Sequence, residues 1–261
     1  MSATRTIPSF IDATAALFKG YLPRIFHLRG WLLAVLAMLP CTLGLLSNSF
    51  DTHPNPTRAA LELYHYGYAQ MVLPLLALIA ASAGIGEDLE QRSLPLMLVR
   101  PAPAWALPFG KGLPWLVWCS AWLTIAPTLI LAAGLDVAVI PQKILALLLT
   151  FWAQFGIASL FVLIFKRGIL WAALFFFAWD PFVRVMPPAL QRMTNTHYLE
   201  SIAQSRYTGS STISLLEQSQ ILSPTWLAVL ILIAVGVLAW AGSGLWLMKR
   251  PVGLAGSESE G

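Results

Sequence analysis

Charged side chains are scarce in this chain. Asp, Glu, Lys and Arg make up 11% of its 261 residues, against roughly 25% in an average soluble domain. The hydrophobic fraction is 57% and the mean hydropathy is +0.71. A soluble globule of this composition could not cover its own surface with polar groups. The composition therefore excludes a soluble enzyme, and it also excludes a disordered chain.

Cysteine and the known catalytic motifs are equally scarce. The only two cysteines, Cys41 and Cys119, lie in apolar runs, which excludes a disulfide framework. The phosphate-binding motif G-x-x-x-x-G-K-[ST] is absent, because Gly110-Lys111 lacks both the upstream glycine and a following Ser or Thr. H-E-x-x-H, C-x-x-C and G-x-S-x-G are absent as well. We therefore expect no catalytic residue, no metal and no cofactor bound by this chain.

Long apolar runs are abundant. A helix needs about 20 apolar residues to cross the core of a bilayer, and the sequence predicts an all-α polytopic membrane protein with six transmembrane helices. The predicted spans are 31–46, 68–85, 113–133, 144–165, 168–182 and 226–248. The fifth is the weakest, because Asp180 and Pro181 interrupt it early. We expect a broken or re-entrant helix there, covered by protein.

The distribution of Lys and Arg predicts the orientation. Short cytoplasmic loops carry an excess of these residues. With the N-terminus in the cytoplasm, 11 of the 16 Lys and Arg residues lie inside, and every inside loop carries at least two. We therefore expect a multi-pass protein of the cell (inner) membrane with both termini cytoplasmic. The predicted domains are an interfacial helix (1–30), a transmembrane domain (31–250) with an external cap (183–223), and a flexible tail (251–261).

The residues before the first span are predicted to form an amphipathic helix. Apolar residues recur at steps of three and four between Ile7 and Phe26, and Pro23 is expected to kink the helix near its end. Cations lie around this apolar stripe. We expect the helix to lie in the cytoplasmic membrane interface. The alternative is a helix that packs against another domain.

The loop 86–111 mixes acidic, basic and large apolar residues. Leu94, Leu96, Met97 and Leu98 are too many apolar side chains to leave in water. We expect them to be buried in the membrane interface or under a partner protein. An ordinary connecting loop is the alternative.

This loop resembles the cytoplasmic segment between the second and third spans of type-2 ABC transporter permeases. Those proteins carry E-x-x-x-G-T-L-x-x-L-L-x-x-P-x-x-R and, some residues later, G-K. The sequence departs from this pattern in two places, with Arg92-Ser93 where Gly-Thr is usual and Trp105 near the usual Arg. The matching residues are Glu87 or Glu90, Leu94, Met97, Leu98, Pro101 and Gly110-Lys111.

The resemblance implies a permease subunit of an exporter that works as a dimer, with a second copy or a related permease. Two separate ATPase subunits would bind ATP and Mg²⁺. Residues 87–99 would form a coupling helix that docks on an ATPase subunit, and the turn at Lys166-Arg167 would be a second contact. The residues implied in ATPase-subunit contact are Glu87, Asp88, Glu90, Arg92, Leu94, Met97, Leu98, Arg100, Lys166 and Arg167.

The fifth span supplies a candidate translocation path. Its aromatic residues cover all faces of the helix, so some face lipid and some face protein. Asp180 and Arg184 lie four residues apart and form either a transport site or a helix-end pair near the outer boundary. Gln154 is expected to form a hydrogen bond between helices. The candidate path residues are Trp171, Phe175, Phe176, Trp179 and Asp180.

Two external segments hold further candidate sites, one for a metal ion and one for an external partner. His53 and His65 share the first outside loop with Asp51 and Glu62, which makes a metal site conceivable. The alternative there is a solvated loop with an interfacial belt of Tyr64, Tyr66 and Tyr68. The external cap is predicted to gate an exit or to dock an external accessory protein.

Two other functions stay open at this point. A non-transporting membrane anchor or assembly subunit would share the topology and lack ATP-coupled movement. A membrane-embedded enzyme acting on lipid or peptide would need convergent polar groups at bilayer depth, and the sequence offers only isolated ones. The scattered cations do not favour nucleic-acid binding.

Overall fold

The structure is a computed structural model that describes residues 9–46, 56–86, 106–184, 186–204 and 222–249, with the backbone alone at Arg184 and Pro188. Every regular element in these ranges is helical. A 3₁₀ turn, Val137–Val139, precedes α5. The helices are α1 (Phe10–Ile25), α2 (Leu28–Leu46), α3 (Pro56–Gly86), α4 (Ala106–Gly134), α5 (Ile140–Ile164), α6 (Gly168–Val183), α7 (Pro188–Gln191), α8 (Asn195–Ala203) and α9 (Thr225–Lys249).

Five of the described helices are long and apolar enough to cross a membrane. These are α2, α3, α4, α5 with its preceding turn, and α9, whereas α6 is apolar but shorter. Large apolar side chains cover the outer faces of these helices. Val35 of α2 is 63% exposed and Leu238 of α9 is 70% exposed, which suits contact with lipid and not with water. The architecture is that of an all-α, multi-pass membrane protein.

The helices run alternately between two ends of the bundle. At the first end, Ile85, Leu107, Leu163 and Leu247 form a buried cluster against Leu17 of α1, and we call this the α1 end. At the opposite end, the Thr57 hydroxyl donates to the Gly134 carbonyl at 2.7 Å. There also the Gln142 amide donates to the Ile202 carbonyl of α8 at 2.7 Å, and we call this the α8 end.

The segment from α6 to α8 covers the distance between the two ends. Near its start, the Phe175 ring contacts the Phe161 ring late in α5, with 5.8 Å between centroids, while α8 contacts the start of α5. The 16 residues of α6 rise only about 24 Å. The chain therefore needs α8 as well to reach the α8 end.

The prediction that Asp180 and Pro181 interrupt the fifth apolar helix is wrong at the level of the backbone. The helix continues past Asp180 and Pro181 to its end at Val183. Five residues of π-helix, Phe175–Trp179, come immediately before Asp180. Pro181 lacks an N–H donor, and it lies just beyond the π segment, where the hydrogen-bond register changes. That position lets the helix accept the proline without ending.

Two span boundaries differ from the prediction because neighbouring helices cover polar side chains. α3 begins at Pro56, so Tyr64 and His65 are buried in a helix instead of lying in a solvated loop. The Tyr64 hydroxyl donates to the Lys143 carbonyl at 2.8 Å. α4 begins at Ala106, so Lys111 is not part of the preceding loop. Its ammonium lies 4.7 Å from the centroid of the Tyr21 ring.

The predicted N-terminal helix is present as α1. Ser9 caps it, because its hydroxyl accepts from the Asp12 backbone N–H at 3.2 Å. One side of α1 packs on α4, where a Cβ at Gly110 would lie 2.5 Å from the Leu17 Cβ. Glycine at position 110 therefore allows the close approach. Ile11 is 75% exposed, so α1 also presents an apolar side away from the bundle, as an interfacial helix requires.

Aromatic packing joins α5 to α9 in the centre of the bundle. The indoles of Trp152 and Trp240 stack with 5.5 Å between centroids, and Phe155 meets Trp240 edge to face at 5.5 Å. A Cβ at Gly236 would lie 1.9 Å from the Trp152 Nε1. Glycine at position 236 is thus required for the indole to lie against α9.

Candidate functional site

A small polar cavity lies between α3, α5, α6 and α8. Its volume is about 150 Å³. One carboxyl group, two carboxamides and one hydroxyl lie among otherwise apolar walls. The described lining residues are Ala69, Gln70, Pro74, Gln154, Phe176, Phe177, Asp180, Pro181 and Thr196.

The cavity lies at depth in the bundle. Gln154 follows Lys143 on α5 by eleven residues, which is about 16 Å along the helix axis. Asp180 is 5% exposed and Gln154 is 3% exposed. Asp180 is therefore buried between helices, and the choice between a transport site and a helix-end pair near the outer boundary stays open. The Arg184 side chain lies outside the described residues, so their pairing stays a prediction.

The hydrogen bonds of the cavity join α8 to α6. The Thr196 hydroxyl donates to a carboxylate oxygen of Asp180. Thr196 is presented by the first turn of α8, which Thr194 caps by accepting from the His197 backbone N–H at 3.2 Å. The Gln154 Oε1 is buried without a hydrogen-bond partner in the described part of the chain. This differs from the predicted interhelical hydrogen bond, and it leaves an acceptor facing the cavity.

Two π-helical segments flank the cavity, one on each of two sides. The π segment Leu63–Val72 of α3 carries Gln70, and the π segment Phe175–Trp179 of α6 carries Phe176 and Phe177. Such segments are rare, and they occur frequently at functional sites. Their presence on both walls favours a function for this cavity over a packing defect.

The position of α8 over the cavity is fixed by contacts at its two ends. At its C-terminus the Lys143 ammonium donates to the Ala203 carbonyl at 3.2 Å, which satisfies a carbonyl that the helix leaves free. At its N-terminus a ring nitrogen of His197 lies 3.0 Å from the Ser223 hydroxyl.

The predicted path residues do not form one surface. Trp171, Phe175 and Trp179 follow one another at four-residue steps and line an apolar groove of about 480 Å³ with Phe161 and Phe165. Phe176 lies on a different face of α6, is 4% exposed and lines the polar cavity with Asp180. Phe176 thus faces protein, and that other aromatic residues of this helix face lipid stays a prediction.

The α1 end holds the described part of the predicted ATPase contact. Lys166 and Arg167 are exposed in the turn between α5 and α6. They line an open cavity of about 740 Å³ that Gly86, the last residue of α3, also lines. The other predicted contact residues lie outside the described residues: Glu87, Asp88, Glu90, Arg92, Leu94, Met97, Leu98 and Arg100.

The external histidines do not come together in the described residues. His65 is 2% exposed inside α3, whereas His53 and Asp51 lie outside the described residues. Across the described ranges, no group of three or more His, Cys, Asp or Glu side chains is arranged to hold a metal ion. A metal site at His53 and His65 stays an untested prediction.

The chain matches no protein-family model, no curated protein and no solved structure. The functional assignment therefore rests on the sequence and the geometry alone.

Sequence reasoning missed two residues of the cavity. Gln70 is a lone carboxamide in an apolar stretch, and Thr196 comes sixteen residues after Asp180. A search for isolated polar residues in apolar runs finds Gln70 and Gln154 separately. Their convergence with Asp180 depends on how α3, α5 and α6 pack, and no local pattern encodes that packing.

Proposed function

We propose that the chain is the membrane-spanning permease subunit of an ABC-type exporter, which works as a dimer with two separate ATPase subunits. The observation that carries the proposal is the meeting of three chain segments at the α1 end. Gly86 and Ala106 flank the segment that resembles a coupling helix, and the basic Lys166-Arg167 turn lies beside Gly86. A single ATPase subunit that docks at this end would contact the end of α3, the start of α4 and the turn between α5 and α6.

The anchoring of residues 87–105 suits a mechanical coupling role. Ile85 precedes the segment and Leu107 follows it, and both are buried in one cluster with Leu163 of α5 and Leu247 of α9. A displacement of this segment by the ATPase subunit would therefore move α3, α4, α5 and α9 together. Packed helices transmit such a displacement as rigid bodies, because a close-packed interior cannot deform continuously.

Six crossings and cytoplasmic termini are part of the proposal. The five long apolar helices supply five crossings, and the path from α6 to α8 between the two ends of the bundle supports a sixth. The described cations Lys19, Lys166 and Lys249 lie on or next to elements at the α1 end. The bias in positive charge supports a cytoplasmic location of the α1 end.

Co-purification tests the assembly. The tagged chain is extracted from its native cells in mild detergent and analysed by mass spectrometry and by an ATPase assay. We expect an ATPase subunit with a G-x-x-x-x-G-K-[ST] motif in about a one-to-one ratio. Recovery of the chain without such a subunit, and without ATP hydrolysis, would contradict the proposal and favour a membrane anchor or an embedded enzyme.

A double substitution tests the docking segment. Leu94→Asp with Met97→Asp should abolish the association while membrane insertion stays intact, because charged side chains are costly in an apolar interface. Leu43→Asp, on the lipid-facing side of α2 where Leu43 is 56% exposed, is the control for a general effect on membrane insertion. ATPase association that survives the double substitution would overturn the assignment of this loop.

A further inference from the structure

We infer that the apolar groove between the end of α5 and α6 binds one anionic phospholipid. An acyl chain would lie in the groove, and the phosphate would lie on the turn formed by Lys166 and Arg167. The lipid would be a bound component of the fold and not a transported substrate. The inference concerns only the surface that this chain presents to the bilayer, so it does not depend on the proposed function.

The groove is open at the surface of the bundle, and its walls are aromatic. Its volume is about 480 Å³. Phe165 is 42% exposed and Trp171 is 49% exposed, with 6.0 Å between their ring centroids. An acyl chain that filled the groove would gain dispersion contacts with rings from both helices. The aromatic lining residues are Phe161, Phe165, Trp171, Phe175, Trp179 and Phe182.

The length of the groove selects an acyl chain as its occupant. Trp171 and Phe182 lie eleven residues apart on α6, which is about 16 Å along the helix axis. Half of the hydrocarbon core of a bilayer is about 15 Å thick. Because α6 begins at the α1 end, the groove extends from that membrane surface to about the middle of the bilayer. That depth is the depth of one leaflet, whereas a helix of a second copy would cross both.

Two cations lie where the headgroup of such a lipid would be. Lys166 and Arg167 directly follow Phe165, and both are exposed. Among the described residues, neither side chain takes part in an ion pair. A guanidinium binds phosphate oxygens through two parallel hydrogen bonds, and an ammonium binds them as a point charge. Basic pockets between transmembrane helices are typical sites for anionic headgroups.

Phe165 joins the cationic turn to the groove. Its ring lines the groove, and it also lines the open cavity of about 740 Å³ to which Lys166 and Arg167 belong. A Cβ at Gly168 would lie 2.2 Å from the Phe161 carbonyl oxygen. Glycine at position 168 therefore lets the start of α6 lie directly against α5, which holds the turn at the end of the groove. A single lipid can then contact the turn and the groove together.

The two cations predict which lipid is preferred. Phosphatidylglycerol carries one net negative charge, whereas phosphatidylcholine also carries an ammonium group that the cations repel. With identical acyl chains, the contribution of the groove is the same for both lipids. The preference between the two lipids therefore measures the contact of the headgroup with the turn.

Native mass spectrometry of the purified chain tests the site. Dioleoyl phosphatidylglycerol and dioleoyl phosphatidylcholine are added at equal concentrations, with no ATPase subunit present. We expect one phosphatidylglycerol per chain, retained with roughly tenfold preference, because each cation near a membrane surface strengthens the attraction to an anionic lipid. Equal retention of the two lipids would overturn the inference. The ATPase co-purification above would be unaffected by that result, so the two proposals fail separately.

A pair of charge variants locates the headgroup. Lys166→Gln with Arg167→Gln should abolish the preference for phosphatidylglycerol. Lys19→Gln with Lys249→Gln removes two exposed cations on other helices of the same end, and it should retain the preference. Equal preference in the two double variants would overturn the inference. Displacement of the lipid by inorganic phosphate at constant ionic strength would also overturn it, because the turn would then be a site for a soluble anion.

A substitution that fills the groove locates the acyl chain. Ala178 lines the groove and is exposed, so Ala178→Trp should lower the retention of phosphatidylglycerol several-fold without disturbing the core. Leu238→Trp, on the exposed side of α9, is the matched control and should retain the lipid. Unchanged retention by a folded Ala178→Trp variant would overturn the inference. Release of the lipid when two chains associate would assign the groove to a second copy and would overturn it as well.

Discussion

The Lys143 ammonium lies 3.2 Å from the carbonyl oxygen of Ala203, a residue 60 positions later in the chain. This hydrogen bond connects the first turn of α5 to the last turn of α8. Lys143 is 3% exposed, and its own carbonyl accepts from the Tyr64 hydroxyl. A single residue thus connects α3, α5 and α8 at the α8 end, although its charge alone predicts an exposed position.

Replacement of Lys143 should loosen α8. We expect Lys143→Met, which retains most of the aliphatic stem, to lower the free energy of unfolding by about 2 kcal/mol, as for the loss of a hydrogen bond to a charged donor. Hydrogen exchange followed by mass spectrometry should show faster exchange in residues 195–203. Lys19→Met removes an exposed lysine of α1 and serves as the control. Unchanged exchange in α8 would show that the hydrogen bond does not hold this helix.

The contact of Gly236 with Trp152 predicts a steric cost. Gly236→Ala places a methyl group 1.9 Å from the Trp152 Nε1, so the indole or the helix must move, and we expect a loss of about 1–3 kcal/mol. The midpoint of thermal unfolding in detergent measures the effect. Gly20→Ala, where the new Cβ would meet nothing within 4 Å, should be neutral or stabilising. A stable Gly236→Ala variant would mean that α9 does not pack on Trp152 in this way.

Charge reversal at the α1 end should weaken ATPase binding. Lys166→Glu with Arg167→Glu changes the local charge by four units at the proposed contact. We expect ATPase recovery in the co-purification to fall several-fold, since charges at the edge of an interface act mainly through long-range attraction. Arg58→Glu with Arg192→Glu makes the same change in charge at the α8 end and should leave recovery unaltered. Equal losses of ATPase recovery in the two double variants would indicate a general effect of charge instead of a contact at the α1 end.

Cysteine labelling tests the six crossings. Cys41 and Cys119 are buried, with 2% and 1% exposure, so a membrane-impermeant maleimide should not react with the wild-type chain. In intact cells we expect Asp136→Cys and Gln204→Cys, which replaces an exposed residue directly after α8, to be labelled from outside. Lys166→Cys should react only after permeabilisation. Lack of labelling of Gln204→Cys in intact cells, with labelling after permeabilisation, would show that the segment 168–203 does not cross the membrane.

Local patterns predict the helices well and the cavity poorly. α1 could be predicted because the spacing of its apolar residues and its Pro23 are local features. The burial of Tyr64 could not, because its hydroxyl acceptor, Lys143, is 79 residues away. The burial of Asp180 could not be predicted for the same reason, because its partners are distant in the sequence. Its own neighbours suggest the end of a helix, whereas its environment is set by Thr196 and Gln154 on two other helices.

The central place of α5 has a consequence for biosynthesis. It contacts α3 and α4, which are made before it, and α6, α8 and α9, which are made after it. Until α5 enters the membrane, the Tyr64 hydroxyl lacks the Lys143 carbonyl that accepts from it. The first four helices are therefore an incomplete unit as they leave the ribosome, and their inward faces stay open to lipid or to an insertase. A chain that stops before residue 140 should be degraded in the cell, whereas one that reaches the end of α9 can close around α5.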